Sequence, residues 1–189
     1  MEIESEKMRA FSRLLSSEGP SLGLIGPKEA GRVWERHIGN CAVLAPFLEG
    51  AKASRVVDVG SGAGLPGVVL SILLPSVSFT LLEPRALRKQ WLDRMKKELD
   101  LKNVEVFKIK AEQWRGEKFD AAVCRALAPL PKLMGLLSPL LRPGGAVFAL
   151  KGRSVEEEMK GAPGAELFHV LQEGGEATNV VSFKARGQR

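Results

Sequence analysis

The sequence predicts an α/β domain with a seven-stranded, mostly parallel sheet and a short N-terminal helical extension, on three observations. From Arg55 onward, short β-branched runs alternate with helix-like stretches, the pattern of right-handed crossovers and a sheet covered on both faces. The last two strand-like runs are joined by Glu173-Gly174-Gly175-Glu176, a hairpin-type connection too short for a helix, so the sheet ends antiparallel. The first run passes into Val56-Val57-Asp58-Val59-Gly60-Ser61-Gly62-Ala63-Gly64-Leu65-Pro66-Gly67, a strand, a glycine loop and the start of a helix.

The elements follow in order. Met8, Phe11, Leu14 and Leu15 recur at helical spacing and define a first helix. Ser16-Ser17-Glu18-Gly19-Pro20 breaks it, and Val33, His37, Cys41 and Leu44 mark a second amphipathic stretch, closed by Pro46 and Gly50. These helices form the expected extension, residues 1–50, packed on the sheet of a domain spanning residues 51–189. Strands are expected at residues 55–59, 78–83, 104–110, 119–125, 146–151, 166–172 and 179–185. The clearest helix is 86–100, where Leu87, Trp91, Met95 and Leu99 fall every four residues and Arg88, Lys89, Arg94, Lys96 and Lys97 take the other faces.

Composition narrows the functional classes. A chain of 189 residues with 44% hydrophobic content suffices for one well-buried domain with an appendage. Its longest apolar stretch, residues 68–74 with Ser71 inside, is too short to span a bilayer, and the first residues are acidic without a hydrophobic signal core; a soluble, cytoplasmic protein is expected. Cys41 and Cys124 are too few for a disulfide framework and suit a reducing compartment. The net charge of +6 fits a polyanionic partner without establishing one.

The glycine loop is the strongest chemical signal. Gly62, Gly64 and Gly67 satisfy G-x-G-x-x-G, which a dinucleotide site, or a turn serving packing alone, would also satisfy. Glu83, at the end of the second strand, could hold a ribose diol in a nicotinamide or an adenosyl site. Asp58 separates the two, because a carboxylate two residues before Gly60 disfavours a pyrophosphate and favours a ligand carrying an ammonium and a sulfonium. S-adenosylmethionine is such a ligand. The seven-stranded class I S-adenosylmethionine-dependent methyltransferase fold, which is Rossmann-like, also places a final antiparallel strand in an otherwise parallel sheet, and the turn Arg142-Pro143-Gly144-Gly145 before residues 146–150 resembles that fold's late strand.

Further motifs carry a more specific resemblance. The loop from Asp58 through Leu65-Pro66-Gly67, then Phe79-Thr80-Leu81-Leu82-Glu83, Ala111-Glu112, Arg125-Ala126-Leu127-Ala128-Pro129-Leu130, Pro143-Gly144-Gly145 and Ala149-Leu150-Lys151-Gly152, with Arg36-His37-Ile38 ahead of them, resemble ribosomal RNA small subunit methyltransferase G, also called glucose-inhibited division protein B. The resemblance implies transfer of a methyl group from S-adenosylmethionine to guanine N7 in the decoding-region loop of 16S rRNA, within the 30S subunit or an assembly intermediate, with no metal and no membrane. It implies that Gly60 and Leu65 line the methionine end of the cofactor, that Glu83 holds the ribose, that Ala111 and Glu112 border the adenine, and that Arg125 closes the site. With Asp58, Gly62 and Gly64 these form the expected cofactor-binding set. The chain departs from the family where Leu22-Gly23-Leu24-Ile25-Gly26 stands in place of Asn-Leu-Thr, where Glu83 replaces a frequent aspartate, and where Cys124 replaces a frequent alanine.

The chemistry asks for little more. Guanine N7 has a lone pair and no proton, so alignment and desolvation suffice and no general base is needed before transfer. No residue is assigned a catalytic role; Arg125 and His37 are positioning candidates. The Asn/Asp-Pro-Pro-aromatic motif of exocyclic amine methylation is absent, since Cys124-Arg125-Ala126-Leu127 stands in its place. Cys124 is the one conceivable nucleophile for pyrimidine C5 methylation and reads better as a core residue. His37 and Cys41 lack the further ligands of a metal site, and His169 reads as structural. Lys151 and Arg153 lead the RNA-binding candidates, followed by Arg85, Lys132 and Arg32, while Lys184, Arg186 and Arg189 read as a basic tail. A methyltransferase for a small molecule or a protein, or a cofactor-binding module without catalysis, are the alternatives.

Overall fold

The computed structural model describes residues 3–172 and 177–185. The chain order is α1 (Glu6–Glu18), a 3-10 segment (Pro27–Arg32), a π-type turn (Trp34–Gly39), α2 (Asn40–Ala42), α3 (Ala45–Gly50), β1 (Arg55–Val59), α4 (Gly67–Leu73), β2 (Ser78–Leu82), α5 (Ala86–Glu98), β3 (Val104–Phe107), a 3-10 turn (Ala111–Gln113), β4 (Phe119–Arg125), α6 (Leu130–Leu137), a 3-10 turn (Ser138–Leu140), β5 (Leu141–Lys151), α7 (Val155–Met159), β6 (Glu166–Leu171) and β7 (Ala177–Lys184). The connection 173–176 expected as a hairpin turn, and Arg186 and Arg189, lie outside the described residues.

The seven strands form one sheet in the order β3-β2-β1-β4-β5-β7-β6. The first five are mutually parallel, and β7 runs antiparallel between β5 and β6. This is the mixed ending that the sequence predicts. Strand order reverses at β1 and β4, so the chain leaves these neighbouring strands in opposite lateral directions and opens a crevice beyond their carboxyl ends.

Two apolar clusters cover the sheet. On one face Met8, Phe11, Leu15, Ile38, Cys41, Leu44 and Leu48 share a core with Val56, Leu70, Phe79 and Leu81; the N-terminal helices therefore bury their apolar stripe directly on the sheet and roof the carboxyl end of β1. On the other face Val57, Val59, Ala122, Cys124, Leu133, Leu137, Val147 and Phe183 pack together. The α1 helix is tied to α5 by Arg94, which gives two hydrogen bonds to Glu18, at 2.5 and 2.8 Å, and pairs with Glu98.

Several local expectations are corrected. Pro46 does not close the second helix but opens α3, where its missing N–H costs nothing. The stripe Val33, His37, Cys41, Leu44 is buried as expected, yet it runs through a π-type turn and a short α segment rather than one helix. Leu87 is 78% exposed while Trp91, Leu92 and Met95 are buried, because a strict every-fourth-residue line drifts about 40° per step around a helix of 3.6 residues per turn. β2 stops at Leu82 and β3 at Phe107, short of Glu83 and Lys110. β5 starts early, at Leu141, with a register break opposite Phe119 to Ala121 that absorbs the Arg142-Pro143-Gly144-Gly145 turn.

Candidate functional site

The glycine loop leaves β1 with Gly60, Gly62 and Gly64 at φ of +73°, +52° and +93°, a left-handed run that side-chain-bearing residues adopt only at a cost. Crowding also fixes Gly60 and Gly67. A Cβ on Gly60 would lie 2.8 Å from Leu127 Cδ1, and one on Gly67 would lie 2.4 Å from Leu81 Cδ2 and 2.5 Å from Asp58 Oδ2.

The loop's amides are already engaged. Gly60 and Ser61 donate to the Leu82 carbonyl at 2.9 and 3.3 Å, and Gly64 and Leu65 donate to the Ser61 carbonyl at 2.7 and 3.1 Å. Gly62 donates to Glu83 Oε2 at 3.0 Å and Gly67 to Asp58 Oδ2 at 2.9 Å. An anion-binding loop needs convergent free N–H groups. Here six amides are spent inside the protein, two of them on carboxylates, which disfavours a pyrophosphate on grounds the sequence could not supply. From above, Trp91 Nε1 donates to the Ala63 carbonyl at 3.0 Å and braces the loop against α5.

Asp58 lies behind the loop rather than in a cavity wall. It is fully buried, and its Oδ1 has no hydrogen-bond partner. Burial pushes its carboxyl up to about 7; the Ser61 and Gly67 hydrogen bonds pull the other way, and the Glu83 charge adds to the rise. A carboxyl whose pKa is higher in the folded than in the unfolded state stabilises the fold fully at low pH and loses that contribution as pH rises to its folded value. The ligand-free protein is therefore expected to lose stability from about pH 4 to pH 7 through this group, and Asp58→Asn to flatten that segment of the Tm profile. Parallel wild-type and variant profiles would contradict the assignment.

A cavity of about 500 Å³ opens over the loop, walled by Gly60, Ser61, Gly62, Ala63 and Leu65, by Glu83, Arg85 and Arg88, by His37, and by Arg125 and Leu127. Leu24, Ile25 and Glu29 complete it from the N-terminal extension. Of the expected cofactor set, the cavity brings together Gly60, Gly62, Leu65, Glu83 and Arg125. Gly64 and Asp58 sit beneath it, and Ala111 and Glu112 line a separate depression with Trp114, Arg115 and Leu136. Glu83 is 2% exposed, its Oε1 accepting from the Arg85 N–H at 2.8 Å.

His37 is also buried. Burial, followed by the Arg125 charge, drives its pKa down to about 4, so the ring is neutral near pH 7. Arg125 Nη2 lies 2.8 Å from His37 Nδ1. A guanidinium only donates, so Nδ1 is the acceptor and the ring proton sits on Nε2, which faces Glu29 Oε1 at 3.7 Å. Arg125 Nη1 is buried without a hydrogen-bond partner.

Arg125 also lines a second cavity of about 320 Å³ with Arg36, Asn40, Lys151, Arg153, Thr178 and Asn179. No carboxylate lines it among the described residues. Arg36 and Asn40, which were not among the expected RNA-binding residues, join the expected Arg153 there, whereas Lys151 is committed elsewhere: it pairs with Glu158 at 2.6 Å and donates to the Ala128 carbonyl at 2.8 Å. Arg85 lies on the rim of the first cavity. Arg32, in the 3-10 segment, and Lys132, on α6, are exposed and line neither cavity.

The remaining reactive groups are inert. Burial pushes the Cys41 and Cys124 thiols up to about 12, which removes Cys124 as a nucleophile at neutral pH. Among the described residues no group of three or more His, Cys, Asp or Glu side chains is placed to hold a metal ion, and no helix is long and apolar enough to cross a membrane. His169 is an exposed cross-strand partner of Asn179.

Comparison with known proteins agrees with the fold and narrows the family. The O-methyltransferase TomG from Streptomyces achromogenes, solved in complex with SAM, superposes with a TM-score of 0.62 at 15% identity over 96% of this chain and 91% of that one. The tRNA (m1A58) methyltransferase TrmI from Aquifex aeolicus gives 0.62 at 18% identity, covering 77% and 68%. At such identity the likeness is one of fold, the class I S-adenosylmethionine-dependent methyltransferase fold. Sequence relatives are far nearer. Ribosomal RNA small subunit methyltransferase G from Leifsonia xyli subsp. xyli is 43% identical over 180 residues, 95% of this chain and 78% of that protein. Its namesakes from Thermobifida fusca and a Nocardioides species are 48% and 46% identical over 80% and 83% of this chain, which spans 64% and 62% of their lengths. A sequence model described as rRNA small subunit methyltransferase G matches residues 4–188, which hold the whole of the sheet and the helices before it, and the chain belongs to that family.

Proposed function

We propose that this protein transfers the methyl group of S-adenosylmethionine to N7 of a guanine in the decoding-region loop of 16S rRNA, presented by the small subunit or an assembly intermediate. The observation that carries the proposal is the meeting of two unlike cavities at Arg125. The first has Glu83 at its strand-end floor, Asp58 buried behind the loop, spent amides, and Arg85, Arg88 and Arg125 around it, a setting for a compact ligand bearing both signs of charge. The second offers Arg36, Arg125 and Arg153 with no carboxylate among the described residues that line it, a setting for nucleotide phosphate. Relatives across 80–95% of the chain carry the name ribosomal RNA small subunit methyltransferase G.

The residues fit the cofactor. Bound there, it would supply an electrophilic sulfonium methyl. Glu83 would accept from the ribose hydroxyls with the lone pairs left over from the Gly62 and Arg85 amides. Buried Asp58 would lower the energy of the ligand's positive centres through a poorly screened interior. Neutral His37 would fix Arg125 by accepting a hydrogen bond from its Nη2, and Arg125 would hold the nucleotide in line with the methyl group. No side chain has to remove a proton, since N7 carries none, so catalysis rests on alignment and exclusion of water.

The test is transfer of labelled methyl to small subunits and to purified 16S rRNA from cells lacking the gene, followed by cleavage at 7-methylguanosine and primer extension. One new stop in the decoding-region loop is the expected result. No incorporation into either RNA, with S-adenosylhomocysteine still bound, would move the substrate to another class; tight NAD binding without adenosylhomocysteine binding would overturn the cofactor.

A further inference from the structure

β4 ends in a strained corner. Ala126 has a φ of +48°, uncommon for a residue with a Cβ, and residues 126–129 then cross the carboxyl edge of the sheet before α6 begins at Leu130. Within this crossing Leu127 reaches back over the glycine loop, so that a Cβ on Gly60 would lie 2.8 Å from its Cδ1. Leu127 therefore forms the roof of the first cavity above Gly60. Strain of this kind persists only where neighbouring contacts enforce it.

Two side chains hold the residues that follow Ala126. Lys151, at the end of β5, donates to the Ala128 carbonyl at 2.8 Å and pairs with Glu158 of α7 at 2.6 Å. Glu158 in turn accepts from the Leu130 N–H at 2.9 Å and from Ser154 Oγ at 3.2 Å. The crossing is thus gripped at Ala128 by the cation and at Leu130 by its counterion. The pair is largely sheltered, the Lys151 side chain 7% and the Glu158 side chain 19% exposed, and burial alone would raise the Glu158 carboxyl; its hydrogen bonds to Lys151 and Leu130 hold it below the usual range. A lysine already bound to a backbone carbonyl and a carboxylate is a poor phosphate ligand and a good strut.

We propose that Lys151 and Glu158 are positioning residues that latch residues 126–129 across the cofactor cavity, so that Leu127 roofs the ligand and Arg125 keeps its aim between the two cavities. The proposal rests on the cofactor assignment made above. It differs from a direct RNA contact by Lys151 in one respect that can be measured: in a latch the acid matters as much as the base, and both act on the cofactor.

The experiment compares the wild type with Lys151→Met, Glu158→Gln and the double variant, measuring S-adenosylhomocysteine affinity and dissociation rate together with the salt dependence of binding to 16S rRNA. Each single variant is expected to weaken adenosylhomocysteine about 10-fold, mostly through faster dissociation, with the double variant no weaker than the singles because one coupled device has been removed. The log-log salt slope of RNA binding should stay unchanged. A slope reduced by about one in Lys151→Met, with unaltered adenosylhomocysteine affinity in Glu158→Gln, would make Lys151 a phosphate ligand and overturn the latch. Unchanged affinity in every variant would overturn it as well, whereas a wild type that fails to bind adenosylhomocysteine would refute the cofactor assignment instead. The double variant leaves no orphaned charge and guards against misfolding of the singles. Leu127→Ala, which leaves the ion pair intact, is expected to show the same faster dissociation; a wild-type rate there would also overturn the proposal.

Discussion

Glu83→Ala is expected to weaken S-adenosylhomocysteine at least 100-fold and to lower the Tm of the ligand-free protein. The carboxylate is 2% exposed and holds two backbone amides, Gly62 at 3.0 Å and Arg85 at 2.8 Å. Alanine removes both acceptors, and a buried amide left without a partner costs about 1–3 kcal/mol. The Gly62 amide lies in the left-handed part of the glycine loop, so its release loosens the cavity floor, while a ribose held as proposed would lose acceptors whose charge-assisted bonds are each worth about 1.5–3 kcal/mol. Glu83→Gln separates shape from charge: it keeps one oxygen but turns an NH2 toward a backbone N–H, two donors face to face. An intermediate loss, about 10-fold, is expected from it. Calorimetry with adenosylhomocysteine and a thermal scan decide the matter, and an alanine variant that binds within threefold of the wild type would remove Glu83 from the cofactor site.

The strands were legible because buried parallel strands are written as continuous β-branched runs, and all seven appear within a few residues of their expected positions. Their ends were less legible. Glu83 looks like strand by pattern, yet its side chain turns back to the glycine loop, and pairing stops one residue earlier. The N-terminal stretch shows a similar split: the spacing of Val33, His37, Cys41 and Leu44 correctly implied burial, but local periodicity cannot distinguish one straight helix from a π-type turn followed by a short α segment. In the site, Glu83 and Arg125 stood out as charged residues at strand ends. Leu24 and Ile25, which wall the cavity from the extension, and Leu127, which roofs it, look like ordinary apolar residues in the chain. Lys151 was legible as a cation at a strand end; its partner Glu158, in a separate short helix, was not, and without the partner the cation reads as a phosphate ligand.

The largest loss of methyl transfer is expected from Arg125→Met, at least 100-fold in kcat/KM, since a reacting group misplaced by about 1 Å costs on that order. Arg125 lines both cavities and pairs across the sheet with Leu150, so its backbone is fixed and only its guanidinium needs aiming. His37, 88 positions earlier, hydrogen-bonds it through a neutral ring nitrogen. His37→Phe keeps the ring volume and removes the acceptor, and is expected to cost about 10-fold, because a guanidinium released from one fixed bond samples several orientations. If His37 acts only through Arg125, the double variant should be no slower than Arg125→Met alone, the signature of two residues in one device. Additive losses would instead place the histidine in independent contact with cofactor or RNA. Arg125→Lys sharpens the distinction: it retains the charge, so electrostatic attraction of RNA survives in the salt slope, but it gives up the planar fork. Methyl transfer that falls in Arg125→Lys with the salt slope intact locates the role of the residue in geometry, which is what a reaction without a proton to move requires.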